Sequence, residues 1–179
     1  METESFGKLL NNAGKNNYTD PDSLKNVIKY ITGTNGKSKK DVVAWGGLGI
    51  LEYKDIDSII RLFAHVQQLH TRRGNFGRYI DHEYFSFSHE GASLVIANNL
   101  DIDRLARKMA YDFYNTDRCQ VVYGVHSPTE EGKHLHIHFA INTVSYVTGN
   151  KRRENKTQTN EREERFQKII ADEISGNSI

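Results

Sequence analysis

The chain has 179 residues, 37% of them apolar, with one cysteine and a formal net charge of +1 at pH 7. This length and composition predict a single globular domain over residues 1–179, and they exclude a polycationic protein, an internal disulfide and, for lack of a long apolar run, a membrane segment. The polar, acidic start is not that of a signal peptide, so we expect a cytoplasmic protein in which nucleic-acid binding must depend on local basic clusters.

The first half of the chain predicts an arm, a helix, a strand and a second helix. Residues 1–19 are polar, rich in Asn and Gly and without a period, and we interpret them as a flexible arm. Apolar residues at helical spacing between Asp20 and Gly33 predict the first helix, which Asp20 can cap. A strand is expected over Val42–Tyr53, with a bend at its glycines, and a helix over Asp55–His70.

The second half alternates strands and helices. A strand is predicted over Tyr79–Ser88, a helix over Asp101–Tyr114, a hairpin over residues 119–146 and a charged C-terminal helix within residues 157–179. Strands joined by hairpins and interleaved with helices indicate an α+β fold. We expect an antiparallel β-sheet with helices packed mainly on one face and the other face left open.

The most informative segment is the predicted strand His134–Ile141, in which side chains alternate between the two faces of the sheet. One face is apolar, and the opposite face carries His134, His136 and His138. A single exposed histidine would be an ordinary surface residue. Three histidines at every second position of one strand indicate a metal site instead.

Strand geometry limits which of these histidines can share one ion. His134 and His138 are about 13 Å apart along an extended strand, so only one adjacent pair can chelate and a third ligand must come from elsewhere. His126 is the obvious donor, because it ends the apolar run 119–125 and residues 127–133 predict a hairpin connection. We expect Mn or Mg, although imidazole ligands also suit Co, Ni or Zn.

A metal beside an open face suggests phosphate chemistry, which needs a nucleophile. Tyr30 lies on the flank of the apolar stripe of the first helix, so packing in the core does not explain its position. A flanking tyrosine is also a common surface residue. Helix position alone therefore leaves both interpretations open.

Two separated motifs resemble those of the conjugative relaxases of the histidine-hydrophobe-histidine (HUH) endonuclease superfamily. Residues 26–32, Asn-Val-Ile-Lys-Tyr-Ile-Thr, are similar to the motif that holds the nicking tyrosine in these enzymes. His126 with residues 136–142 is similar to their metal motif with its trailing Asn. Between them, residues 85–90 resemble the strand-end serine segment that lies beside bound DNA. The resemblance covers roughly residues 18–150.

This resemblance implies an HUH-like sandwich with an open cleft for DNA and metal. It implies that Tyr30 attacks one strand of single-stranded or extruded origin-of-transfer DNA, leaving a 5′-phosphotyrosyl link and a free 3′-hydroxyl, and that the reverse reaction rejoins the strand. It also implies that His126, His136 and His138 hold the divalent ion, and that accessory relaxosome proteins are possible partners. Such an enzyme initiates transfer or mobilisation of a plasmid or integrative element.

Supporting roles are assigned to several further residues. Relaxases usually have an acidic residue two positions after the first motif histidine, where this chain has Pro128, so another group must orient the metal ligands. Candidates for contacting the ligands or facing DNA are His134, Glu90, Asn142 and Ser88, with Asp81, Glu83 and Glu130 as further acidic choices. Candidates for contacting DNA phosphates are Lys151, Arg152, Arg153, Arg72, Arg73 and Arg78, for which a solvated loop is the alternative.

Three other classes of protein share parts of this pattern. A rolling-circle replication initiator has the same metal motif and tyrosine chemistry, but it usually places the tyrosine after the metal motif, whereas Tyr30 precedes it. A metal hydrolase of small substrates would need the histidines without the tyrosine. A non-enzymatic DNA-binding module would tolerate the loss of all three histidines. The order of the motifs favours the relaxase.

Overall fold

The computed structural model describes residues 5–11, 17–52, 54–70, 76–129 and 134–176. These residues form, in chain order, β1 (Gly7–Asn11), α1 (Asp22–Ile31), β2 (Val42–Leu48), α2 (Ile56–Gln67), β3 (Ile80–Phe87), α3 (His89–Ala97), α4 (Ile102–Thr116), β4 (Val121–His126), β5 (His136–Asn142) and α5 (Lys156–Ile174). Within the described ranges, no helix combines the length and the apolar character needed to cross a membrane.

The five strands form one antiparallel sheet in the order β1-β3-β5-β4-β2. β4 and β5 pair as the predicted hairpin, with His126 directly opposite His136. On its other side β5 pairs with β3, where Tyr84 lies opposite His138. The predicted α+β class, the antiparallel sheet and the resemblance to the HUH fold are thereby confirmed.

Helices cover both faces of this sheet. α3, α4 and α5 pack on one face around a core that includes Phe113, Phe139 and Phe166. α1 and α2 pack on the other face against Val122 and Ala140. The sequence predicted that this second face would be open, but the apolar stripes of α1 and α2 need an apolar partner and cover part of it. His126, His136 and His138 lie on the rest of this face, and of the three only His136 is partly exposed.

Three helices begin beside an aspartate that accepts a hydrogen bond from an amide of the first turn, as the sequence predicted for Asp20. The Asp20 carboxylate accepts a hydrogen bond from the Asp22 amide at 2.8 Å. Asp55 accepts from the Ser58 amide at 2.8 Å and Asp101 from the Arg104 amide at 3.0 Å. Each bond satisfies an amide that has no partner within its helix.

The N-terminal segment differs from the flexible arm that the sequence predicted. Residues Gly7–Asn11 form the edge strand β1, in which Leu9 pairs with Phe85 and is buried. Tyr18 is also buried, and its carbonyl accepts a hydrogen bond from the Tyr79 amide at 2.8 Å. This order comes from pairing with β3, which is distant in the chain and leaves no local pattern. Residues 1–4 and 12–16 lie outside the described residues.

Three further features of the secondary structure differ from the sequence prediction. Residues 89–97 form α3, which begins after Ser88 and was not predicted. The strand expected over Val42–Tyr53 ends at Leu48, and Tyr53 lies outside the described residues. The C-terminal helix begins at Lys156, where Asn155 and Gln158 form a reciprocal capping box, and it ends at Ile174.

Candidate active site

The β4–β5 hairpin brings the three histidines of the metal motif together. One ligand nitrogen from each of His126, His136 and His138 lies within 4.8 Å of the others. Imidazole nitrogens bound at about 2.1 Å to one ion lie at most about 4 Å apart, so a small movement of the side chains would close this group on a metal. His134 precedes β5, is exposed and does not belong to the group.

Hydrogen bonds to carbonyl groups orient two of the three rings. The Nε2 atom of His126 lies 3.0 Å from the carbonyl oxygen of Ile31, and the Nδ1 atom of His136 lies 2.6 Å from that of His134. A carbonyl oxygen only accepts hydrogen bonds, so these two nitrogens carry the hydrogens. The lone pairs therefore lie on Nδ1 of His126 and Nε2 of His136, as metal ligation requires.

The third ring, His138, is oriented by another histidine. Its Nδ1 atom lies 2.9 Å from Nε2 of His82 on β3, while its own Nε2 atom is buried and has no hydrogen-bond partner among the described residues. Burial lowers the pKa of His138 well below its usual value and that of His82 to about 4. Both rings are therefore neutral at pH 7, which is the form that binds metals. An unpartnered buried nitrogen beside two other imidazoles fits a divalent ion.

Tyr30 lies against this histidine group. The centroid of its ring is 5.3 Å from those of His126 and His138 and 6.2 Å from that of His82. Its side chain is half-buried. The sequence placed Tyr30 on a flank of α1 without deciding its role. In the structure, this flank of α1 faces the candidate metal ligands.

A glycine on β4 allows α1 to approach so closely. A Cβ atom on Gly124 would lie 2.1 Å from the carbonyl oxygen of Ile31, the residue after Tyr30. The same carbonyl accepts the hydrogen bond from His126. Close backbone contact and this bond together fix the end of α1 over the hairpin.

Gly124→Ala is therefore expected to lower the free energy of unfolding by about 1–3 kcal/mol, the usual cost of overpacking. The new methyl group must displace the end of α1, so strand cleavage should fall as well. Urea denaturation measures the first effect. Stability and cleavage equal to those of the unchanged protein would contradict this account of how Tyr30 is positioned.

The other candidates around the histidines have structural roles. Asn142 is fully buried and bonds to Gln67, to Gln120 and to the Phe63 carbonyl, so its prediction as a group that faces DNA or contacts the ligands is wrong. Its amide instead ties the end of β5 to α2. No described contact links it to the histidines.

Ser88 and Glu90 lie at the start of α3. Ser88 caps that helix by accepting a hydrogen bond from the Gly91 amide at 3.0 Å, and Glu90 is exposed in its first turn. No contact in the described part of the chain joins either residue to the histidines. Glu130 lies outside the described residues.

Arg152 is not available for phosphate, and its prediction as a DNA contact is wrong. It is buried beneath the sheet against four carboxylates, at 2.6–3.0 Å from Asp81, Glu83, Asp117 and Glu154. Its amide donates to the Thr143 carbonyl, and Lys151 forms a β-bridge with Val144. Side chains alternate between the two sides of this short extended segment, so Arg152 points inward. Asp81 and Glu83 are thereby committed to Arg152 and not to the metal ligands.

Three of the other basic candidates line a groove of about 550 Å³. Lys151, Arg153 and Arg78 border it together with Phe76. The Lys151 ammonium lies 3.3 Å above the Phe76 ring and donates to the Arg78 carbonyl and to Thr143. Burial lowers the pKa of Lys151 to about 8. Arg153 is exposed, whereas Arg72 and Arg73 lie outside the described residues.

His82 is the residue that sequence reasoning missed. It lies within the predicted strand Tyr79–Ser88, and alternation along that strand already placed it on one face with Tyr84. The signal that was missing is the pairing of β3 with β5, which brings this face beside His138. Two strands that are neighbours in the sheet but far apart in the chain leave no sign of their pairing in the local sequence pattern.

Comparison with known proteins identifies the family. A family model described as relaxase, MobA/VirD2-like, nuclease domain, matches residues 14–173. No curated protein is similar enough to the chain to count as a match. The matched region contains Tyr30, the three histidines and His82, and relaxase nucleases are metal-dependent. The chain therefore belongs to the relaxase family through a MobA/VirD2-like nuclease domain, and it is a DNA endonuclease and transesterase.

Proposed function

We propose that this domain nicks and rejoins one DNA strand at an origin of transfer, and so starts conjugative transfer or mobilisation of a plasmid or integrative element. Tyr30 is the nucleophile in this proposal. The observation that carries it is the position of the Tyr30 ring, 5.3 Å from the rings of His126 and His138. Tyr30 packs against the edge of the core formed by α1 and α2, but its ring also faces a cluster of imidazoles, and a phenol in that position fits transesterification at a phosphate.

The chemistry follows from this placement. The Tyr30 oxygen loses its proton to a base in the site, a neighbouring imidazole or water, and attacks the phosphorus of the scissile phosphodiester, and the bond from phosphorus to the 3′-oxygen breaks. The 3′-oxygen leaves and takes up a proton from the protonated base, while the 5′-phosphate stays on Tyr30. Attack of the 3′-hydroxyl on this link reverses the reaction. His126, His136 and His138 would hold a divalent ion, with Mn or Mg favoured, which would neutralise charge on the phosphate oxygens.

The groove beside Phe76 is the proposed path of the single-stranded substrate. Phe76 stacks on Tyr79 with 4.6 Å between ring centroids, and Lys151 and Arg153 add positive charge at its border. Grooves that combine basic residues with aromatic rings bind single strands with little dependence on sequence. Asn17 and Thr19 border this groove and also a second groove along α1, so the proposed path runs from Phe76 along α1, the helix that carries Tyr30.

Replacing both Lys151 and Arg153 by alanine is expected to weaken binding equally for origin and unrelated oligonucleotides. The slope of log affinity against log salt should fall by about 0.7 for each phosphate that the protein no longer neutralises, so by at most about 1.4. Arg153 should contribute more, because Lys151 already donates to Arg78 and Thr143. Lys168→Ala, on the exposed face of α5, is the matched control. An unchanged slope would identify the groove as an ordinary solvated surface.

Covalent capture tests the function itself. A pool of single-stranded oligonucleotides with a randomised centre, labelled at the 3′ end, is incubated with the protein and Mn²⁺ and then denatured in detergent. We expect labelled protein, because the 3′ fragment remains on the tyrosine, and none from a pool labelled at the 5′ end. Chelation of the metal should abolish the adduct. Free cleavage products without labelled protein would indicate a hydrolase instead.

A further inference from the structure

We infer that Tyr18 and His82 form a positioning pair that holds the imidazole of His138 with its hydrogen on Nδ1, so that Nε2 is available to the divalent ion. This inference rests on the proposed metal site. It concerns two residues that belong neither to the ligand group nor to the nucleophile.

The three side chains form a chain of buried polar contacts. The Tyr18 hydroxyl lies 3.1 Å from Nδ1 of His82, and Nε2 of His82 lies 2.9 Å from Nδ1 of His138. All three residues are at most 8% exposed. In such an environment each polar contact is retained, because water does not compete for it.

Hydrogens can be placed on this chain in two directions. In one, His138 donates from Nδ1 to His82, and His82 donates from Nδ1 to the Tyr18 oxygen. In the other, Tyr18 donates to His82 and His82 donates to His138, which puts the hydrogen of His138 on Nε2 and prevents ligation. The phenol oxygen serves either direction, because a hydroxyl both donates and accepts.

The surroundings of His138 favour the first direction. Its Nε2 atom is buried with no hydrogen-bond partner among the described residues, so a hydrogen there would have no acceptor. A divalent ion on the Nε2 lone pair gives that atom a partner. His82 then acts as the acceptor that fixes the ring, and the Tyr18 oxygen accepts the hydrogen at the far end of the chain.

The backbone at Tyr18 is held in an uncommon conformation. Its φ angle is +47°, in the left-handed region that few non-glycine residues adopt. The Tyr79 amide donates to its carbonyl at 2.8 Å and anchors the segment. Tyr18 is a large residue in an unfavourable backbone conformation, and its hydroxyl contacts a buried histidine. This combination favours a positioning role over one of filling the core.

The test combines zinc titration with nitrogen NMR on the intact chain, since Zn²⁺ is diamagnetic and binds imidazole. In the Zn²⁺-loaded protein, long-range proton–nitrogen spectra should show the hydrogen of His138 on Nδ1. His82→Leu should lower the Zn²⁺ affinity about 10–100-fold, as loss of a group that orients a ligand does. His82→Gln, whose amide oxygen also accepts a hydrogen bond, should restore most of it.

A hydroxyl comparison keeps the inference testable if His82→Leu does not fold. Tyr18→Phe should lower the Zn²⁺ affinity about 2–10-fold, the effect of one hydrogen bond. Tyr84→Phe, which removes a hydroxyl from another ring beside His138, should leave it unchanged. Equal Zn²⁺ affinities for Tyr18→Phe and the unchanged protein, with the hydrogen of His138 on Nε2, would overturn the inference alone. Failure of the unchanged protein to bind Zn²⁺ would overturn the metal site as well.

Discussion

Tyr30→Phe is expected to abolish covalent attachment to DNA and to lower strand cleavage by at least about a thousandfold, as the loss of a nucleophile does in other enzymes. The phenylalanine ring keeps the packing of Tyr30 against His126 and His138, so only the attacking oxygen is removed. Affinity for single-stranded DNA should therefore change little. Rapid-quench assays with labelled oligonucleotides measure cleavage, and fluorescence anisotropy measures binding.

Tyr111→Phe is the matched control for this prediction. Tyr111 is exposed on α4, on the opposite side of the sheet from the histidines, and its hydroxyl should not affect cleavage. Covalent attachment that survives Tyr30→Phe would contradict the assignment of the nucleophile. Loss of DNA binding without any change in the cleavage of bound DNA would do the same.

Alanine at His136 or His138 is expected to lower affinity for Mn²⁺ more than about a hundredfold and to lower cleavage in parallel. Each change removes one of three imidazole nitrogens from a group within 4.8 Å, and two nitrogens hold a divalent ion less firmly. Isothermal titration with Mn²⁺ measures the binding. High Mn²⁺ concentrations should restore part of the cleavage, which separates this defect from that of Tyr30→Phe.

His134→Ala supplies the control, because this histidine is exposed and lies before β5. Metal affinity should be unaffected by it. If His134→Ala abolished metal binding and His138→Ala did not, the chelating pair would be His134 and His136, and the assignment of the ligands on β5 would be wrong.

Local patterns accounted for the parts of this site that are near in sequence. The alternation of residues 134–141 and the connection after His126 predicted a hairpin, and the hairpin places His126 opposite His136. The amphipathic stripe of α1 likewise placed Tyr30 on a flank. Periodicity indicates which face of its own helix or strand a residue occupies, and for these residues that information was sufficient.

The parts that depend on distant pairing could not be predicted in this way. His82 contacts His138 because β3 neighbours β5, and Leu9 is buried because β1 pairs with β3. The sequence predicts Arg152 to be part of a basic surface cluster, but carboxylates from β3 and from the loops that follow α4 and β5 surround it. Burial of a charged residue is decided by partners elsewhere in the chain, which a local charge pattern does not show.

Mapping the DNA-linked residue by mass spectrometry tests the central claim most directly. After incubation with single-stranded DNA and Mn²⁺, nuclease trimming leaves a short 5′-phosphate remnant, and trypsin separates Tyr30 from Tyr18, the tyrosine beside His82. Tyr30 falls within residues 30–37 and Tyr18 within residues 16–25. We predict the remnant on the peptide that contains Tyr30, with fragment ions that place it on that residue. A remnant on Tyr18, or on any other residue, would contradict the account.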